Sequence, residues 1–225
     1  MRVSAVLLDI DDTLLDFHAG ARESILRGFA AFGLPYSEAV FETFLRINEG
    51  LWREIEAGRL TRPGLHAIRW MRIFDALGIE ADGPAFETVF RQGINESAIP
   101  VPGARELLAY AKEKYPVYLA SNADYAQQER RLAKADLLRY VDGMFVSDRI
   151  GCAKPAPAFF DACVDGVGVP AERILMIGDS YAADISGAAA RGMRTCLFAP
   201  RGIPAFDGAV PDLVVTELAR VMESI

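Results

Sequence analysis

Asp9-Ile10-Asp11-Asp12-Thr13-Leu14 follows directly on Val3-Ser4-Ala5-Val6-Leu7-Leu8. The earlier run is apolar apart from Ser4 and does not alternate, the pattern of a strand buried on both faces. Such a strand, stopping abruptly in three acids, delivers carboxylates to its C-terminal end. In open α/β sheets that edge is where ligands bind. Crowded acids repel one another and lose hydration, so the arrangement calls for a cation or a chemical use. Taken alone, Asp-x-Asp-x-Thr is short enough to recur by chance. A solvated acidic turn, with Asp12 capping something nearby, is the plainer alternative. The rest of the chain has to decide.

Beyond this stretch the character changes. From Ala19 to about Ser97 helical periodicity takes over, with stop glycines at Gly33, Gly58 and Gly78. Phe41, Phe44, Leu45, Asn48, Trp52 and Ile55 fall on one helical face. Thr61 followed by Pro63 reads as a helix start, and another helix is expected over Pro84 to Asn95. No convincing strand interrupts the block. Ile99-Pro100-Val101-Pro102-Gly103 is then a stiff, helix-breaking link.

After the link, helices near Ala104–Lys114, Tyr125–Ala135, Ala158–Gly166 and Ala182–Arg191 alternate with strands. These strands are expected at Val117–Ala120, Met144–Val146, Ile174–Ile177 and Arg194–Phe198. Leu213–Val215 adds a candidate edge strand before a last helix. Single helices between strands imply right-handed crossovers and a parallel sheet. The fold class is therefore α/β: a doubly wound parallel sheet from residues 1–16 and 98–225, carrying an inserted all-helical domain over 17–97.

Composition sets limits on function. With 225 residues, 52% of them apolar, the chain can build one ordinary α/β core plus an insertion. A net charge of −7 argues against a nucleic acid polymer as partner, because neutralising phosphates needs clustered Lys and Arg. A small phosphorylated molecule remains admissible where metal or positive charge is concentrated locally. No run of about 18 apolar residues suggests a membrane span, and no secretory leader is evident. Cys152, Cys163 and Cys196 are sparse and odd in number, which fits reduced thiols in a cytoplasmic protein.

The chemistry-bearing residues sit at the expected strand ends: Asp9 and Asp11 after the first, Ser121-Asn122 after the second, and Gly178-Asp179-Ser180 with Asp184 after the fourth. Lys154-Pro155 lies in the loop after the third. In a parallel sheet these ends share one edge. Four carboxylates, a hydroxyl and a lysine make a plausible site for a divalent cation and a phosphate, and Mg²⁺ needs few protein carboxylates because it keeps several waters. Singly, each later residue has a bland reading. Ser121-Asn122 could be a strand-end turn, Lys154-Pro155 an ordinary loop dipeptide, and Asp179 the N-cap of the next helix.

These motifs, in this order, resemble those of the haloacid dehalogenase superfamily over essentially the whole chain. The insertion looks like that superfamily's helical C1 cap. The segment Asn48 to Arg69, with Leu51-Trp52, Gly58 and Thr61, is most similar to pyrimidine 5′-nucleotidase-like members. The resemblance implies a Mg²⁺-dependent phosphatase acting on a small phosphate monoester, with a nucleoside 5′-monophosphate as the narrower expectation. Asp9 would attack phosphorus and form an aspartyl-phosphate. Asp11 would protonate the leaving oxygen and then take a proton from water, local acids keeping it protonated at neutral pH. The Asp9 and Asp179 carboxylates and the Asp11 carbonyl would hold the metal, with Asp184 holding metal waters or orienting Lys154. Ser121, backbone N–H groups near Asn122, and Lys154 would bind the phosphoryl oxygens. The superfamily often has Gly where Asp12 stands, so Asp12 receives no catalytic role.

Asn48, Trp52, Arg62, His66 and Arg69 are the candidates for choosing the leaving group, although Trp52 is more readily a core residue than a stacking platform. Other readings are weighed in turn. Gly178-Asp179-Ser180-Tyr181-Ala182 is a near miss for a serine-hydrolase elbow, but His18 and His66 both lie far upstream of the serine. A dehalogenase would need neither the metal nor Asp11. A phosphonate hydrolase would need a cap lysine, and residues 1–111 contain none. A phosphosugar phosphatase or phosphoglucomutase-like enzyme shares the motifs and stays open. A non-catalytic phosphoacceptor or binding module is the remaining alternative from another class. The enzyme is expected to work as a monomer or homodimer.

Overall fold

The computed structural model describes residues 3–225; Met1 and Arg2, which the expected core includes, lie outside the described residues. The chain separates into two compact units, one of Met1–Asp16 with Ala98–Ile225 and the other of Phe17–Ser97.

The first unit opens with β1 (Ala5–Leu8). The chain then passes through the second unit, made of α1 (Phe17–Ala31), α2 (Glu38–Glu56), α3 (Arg62–Leu77) and α4 (Gly83–Glu96). It returns to the first unit as α5 (Ala104–Lys114), β2 (Val117–Ser121), α6 (Tyr125–Lys134), β3 (Gly143–Val146), the short α7 (Ser147–Ile150) and α8 (Pro157–Val167). Then come β4 (Ile174–Gly178), a wide turn over Tyr181–Ser186, α9 (Gly187–Ala190), β5 (Arg194–Phe198), β6 (Leu213–Val215) and α10 (Ala219–Met222). The six strands form one sheet in the order β3-β2-β1-β4-β5-β6, every pair parallel.

β1 is central, so its side chains are buried alternately on two sides. Val6 and Leu8 pack with Leu107, Leu108 and Leu132, while Leu7 packs with Phe159, Phe160 and Met176. That is why the segment is apolar without alternating. Each such side chain contributes about 1.5–3 kcal/mol through removal from water. The outgoing and returning segments pair beside the sheet: Asp16 N–H donates to Ile99 O at 2.8 Å and Val101 N–H to Leu14 O at 2.9 Å.

The second unit is held by aromatic packing. Trp70 sits among Phe29, Phe44, Phe74, Phe86 and Phe90, its ring centroid 4.2 Å from that of Phe86. Thr61 caps α3, its hydroxyl accepting from Gly64 N–H at 3.2 Å, and Gly78 ends that helix in the left-handed region at φ 64°. The expectation that Trp52 fills this core is corrected: Trp70 is its centre, and Trp52 is half-buried on α2.

One element differs from its expected form. In place of a single helix over Ala182–Arg191, Tyr181–Ser186 is wound more widely before α9 begins. Ile185 N–H reaches back to Ser180 O at 3.3 Å, and Ser180, not Asp179, caps the turn by accepting from Ala183 N–H. Wide turns of this kind re-aim a side chain and favour functional positions; here the side chain is Asp184.

Candidate active site

The parallel register delivers the site. Leu8 lies opposite Leu119 on one side and Ile177 on the other, and Asp9 N–H donates to Ile177 O at 2.9 Å. Asp9 therefore emerges level with the ends of β2 and β4, where Ser121 and Asp179 stand. The turn after Asp9 closes through bonds from Leu14 and Leu15 N–H to Ile10 O. It needs a left-handed residue at Asp12, φ 61°, a conformation that glycine adopts freely and aspartate tolerates.

Lys154 is the hub. Its Nζ donates to Asp9 Oδ1 at 2.6 Å, to Asp184 Oδ1 at 2.6 Å and to Ala120 O at 2.9 Å. Burial by itself disfavours the ammonium, but Asp184 and Asp9 together outweigh it and hold Lys154 above the ordinary lysine value. The loop carrying it is pinned by Asn122, whose Oδ1 accepts from Lys154 N–H at 2.7 Å while Nδ2 donates to Lys154 O at 2.9 Å. The Lys154–Pro155 peptide is cis. Asn122 thus spends its side chain on Lys154, leaving its main chain as the group able to meet a phosphate.

Asp9, Asp179 and Asp184 each place a carboxylate oxygen within 4.8 Å of the others. Burial raises Asp9 to about 7, against Lys154 and with help from Asp184 and Asp11. Burial also raises Asp179, and the neighbouring Asp9, Asp12 and Asp184 add to it. Three crowded carboxylates, two of them raised by burial, are an oxygen donor set suited to a hard divalent cation, which would offset their mutual repulsion. Asp184 comes this close because residue 178 is glycine: a Cβ there would lie 2.2 Å from Asp184 Oδ2. Thr13 Oγ1 donates weakly to Asp179 Oδ1 at 3.4 Å.

Three residues at this edge escaped the sequence reading. Arg201 Nη2 lies 3.5 Å from both Asp12 Oδ2 and Asp179 Oδ2. Gln128 and Arg131 reach Asp11 from α6: Arg131 Nη1 to Oδ1 at 2.6 Å, and Gln128 Nε2 to Oδ2 at 2.6 Å. The neighbourhood expected for Asp11, local acids holding its proton, is corrected, because both side-chain oxygens face donors, one of them a cation. A signal existed. Gln128 and Arg131 occupy the inward stripe of α6 with Leu132, and a buried arginine demands a partner.

In the second unit, Asn48 and Arg69 are buried and joined to each other. Arg69 donates to Glu87 at 2.6 and 3.1 Å and to Asn48 Oδ1 at 2.9 Å, its guanidinium 4.6 Å from the Phe90 ring centroid. These two candidates serve the interior of their unit. Trp52, Arg62 and His66 keep part of their surface open to solvent. Burial and the nearby Arg91, Arg69 and Arg62 push His66 down to about 4. Cys163 and Cys196 are buried thiols pushed up to about 12 by burial, and Cys152 is half-buried; all three are free. Among the described residues no helix is long and apolar enough to cross a membrane.

Known proteins resemble this chain over nearly its whole length. The chain is 30% identical to YfnB of Bacillus subtilis, described as a HAD-hydrolase, over all of this chain and 94% of that protein. It is 29% identical to the pyrimidine 5′-nucleotidase PynA of Streptococcus pneumoniae, covering 98% and 94% of the two chains. To the pyrimidine 5′-nucleotidase YjjG of Escherichia coli it is 26% identical, covering 97% and 96%. The crystal structure of YfnB, solved bound to magnesium and reported to reveal interdomain movement, superposes with a TM-score of 0.93 over 100% of this chain and 99% of that one. Residues 3–192 match the family described as haloacid dehalogenase-like hydrolases, and the chain belongs to that family.

Proposed function

We propose that this protein is a Mg²⁺-dependent phosphatase that hydrolyses a small phosphate monoester through an aspartyl-phosphate on Asp9. The observation that carries the reading is the position of Asp9, at a sheet edge beside Lys154 and two further carboxylates. Asp9, Asp179 and the Asp11 carbonyl would hold the ion, and Asp184 keeps Lys154 in place. When bound, Mg²⁺ supplies positive charge to the phosphoryl oxygens.

The protein's own groups account for the rest. The Asp9 carboxylate attacks phosphorus while Lys154 and the Ser121 hydroxyl balance charge on the phosphoryl oxygens, helped by main-chain N–H groups near Asn122. Asp11 gives a proton to the departing ester oxygen and later takes one from the attacking water. The helical insertion acts as a cap whose closure excludes water and whose opening releases product. The magnesium and the interdomain movement reported for YfnB support the ion and the cap.

Nucleoside 5′-monophosphates, pyrimidine ones first, are the substrate class favoured by the likeness to PynA and YjjG. The enzyme would meet them in the cytoplasm, where its three free cysteines stay reduced. The test is phosphate release from a panel of nucleoside monophosphates and sugar phosphates, with Mg²⁺ or EDTA, beside Asp9→Asn. Turnover that needs Mg²⁺ and Asp9 and prefers pyrimidine monophosphates supports the reading. No phosphate release from any ester would overturn it, and a preference for sugar phosphates would overturn the substrate class.

A further inference from the structure

Gln128 and Arg131 join Asp11 and Ser121 in one hydrogen-bonded network. Arg131 is 2% exposed, and its Nη1 donates both to Asp11 Oδ1 and to Gln128 Oε1, the latter at 2.9 Å. The guanidinium has only hydrogens to offer, so it fixes the orientation of the Gln128 amide, with oxygen toward Arg131 and nitrogen away. The two Nε2 hydrogens then go to Asp11 Oδ2 at 2.6 Å and Ser121 Oγ at 3.1 Å. One amide therefore spans the group that moves protons and the hydroxyl at the phosphate end of β2.

We infer that Gln128 and Arg131 are positioning residues that hold the Asp11 carboxyl in one orientation and turn the Ser121 hydroxyl toward the phosphoryl group. The inference rests on the phosphatase reading above. Each Asp11 oxygen has two acceptor sites, and the network takes one on each. The plane of the Asp11 carboxyl is thereby set by two side chains of α6, with the remaining acceptor sites left open. Ser121 Oγ accepts from Gln128, so its own hydrogen is available to point at a phosphoryl oxygen.

The proton balance is simple. In the first half-reaction the Asp9–phosphorus bond forms, the ester P–O bond breaks and the Asp11 proton moves to the leaving oxygen. Arg131 then faces the resulting carboxylate. In the second, water oxygen bonds to phosphorus, the Asp9–phosphorus bond breaks and a water proton returns to Asp11.

The test compares two esters. An alkyl phosphate such as uridine 5′-monophosphate leaves as an alkoxide and needs the proton, whereas p-nitrophenyl phosphate leaves as a stable phenolate and needs it little. For wild type, Asp11→Asn, Gln128→Met, Arg131→Met and Arg131→Lys, the alkyl-to-aryl ratio of kcat/KM is measured. Asp11→Asn sets the size of the effect. Gln128→Met and Arg131→Met are expected to lower the ratio by about tenfold or more, a fraction of what general acid catalysis supplies. Arg131→Lys should recover part of it by keeping the charge. If the arginine variant does not fold, Gln128→Met and Arg131→Lys still decide. Equal losses on both esters, leaving the ratio at the wild-type value, would make the pair structural and overturn the inference. A wild type that hydrolyses neither ester would instead overturn the phosphatase reading.

Discussion

Replacing Lys154 by methionine removes a buried ammonium from between two carboxylates and keeps most of its volume. The side chain of Lys154 is 3% exposed and those of Asp9 and Asp184 are 10% and 1% exposed. Water cannot take over the lost interactions. Breaking a buried pair by removing one partner costs about 3–5 kcal/mol, most of it from the charge left behind. In a protein of this size that corresponds to roughly 6–20 °C in Tm.

The assay is thermal and urea unfolding in EDTA, repeated with Mg²⁺. The cation should recover part of the loss, because it answers the same oxygens. Lys154→Met combined with Asp184→Asn should cost less than the sum of the single changes, by about 1 kcal/mol or more, since the second change removes one of two repelling groups. Phosphatase turnover of Lys154→Met should fall about 10²–10³-fold. A Lys154→Met protein melting within about 2 °C of wild type in EDTA, or strict additivity in the double variant, would refute the view of Lys154 as the electrostatic hub.

Two further outcomes follow from the same physics. Gly178→Ala puts a methyl group where Asp184 Oδ2 now sits; Asp184 must swing away, so turnover should drop about 10²-fold with only about 1–3 kcal/mol of stability lost, and full activity would show that the Asp184–Lys154 contact is dispensable. His66 is held down to about 4 in the folded chain against 6.5 in its reference state. Between those values the unfolded chain binds more protons, so stability rises with pH across the window and is lost as pH falls from 6.5 toward 4. Solvent screening of this half-exposed group reduces the effect to about 1 kcal/mol. His66→Gln should flatten the pH dependence of urea midpoints between pH 4 and 6.5, and an unchanged slope would remove His66 as its source.

What could be read from sequence and what could not divides along physical lines. Val3 to Leu8 announces a two-sided buried strand because a central strand cannot alternate. The later strands and helices are legible through the same hydrophobic pattern. So are Asp9, Asp11, Ser121, Lys154 and Asp179, because parallel strands leave few places for their ends to go. Gln128 and Arg131 left only a faint trace, two polar residues on the apolar stripe of a helix. On a helix surface they are ordinary, and only the packing of α6 against the sheet turns them toward Asp11. The bond between Asn48 and Arg69 was not legible either, since periodicity identifies a face without saying whether its polar groups answer one another.

By itself, then, the order of residues determined an α/β sheet with a helical insertion and a cluster of acids at a strand end, because burial periodicity and strand-end chemistry are local properties of the chain. Tertiary structure alone decided that Lys154 bridges Asp9 and Asp184, that Gly178 admits Asp184, and that an amide and a guanidinium grip Asp11. Those are contacts between distant segments, and their energies depend on distances of a few tenths of an ångström that no spacing along the chain encodes.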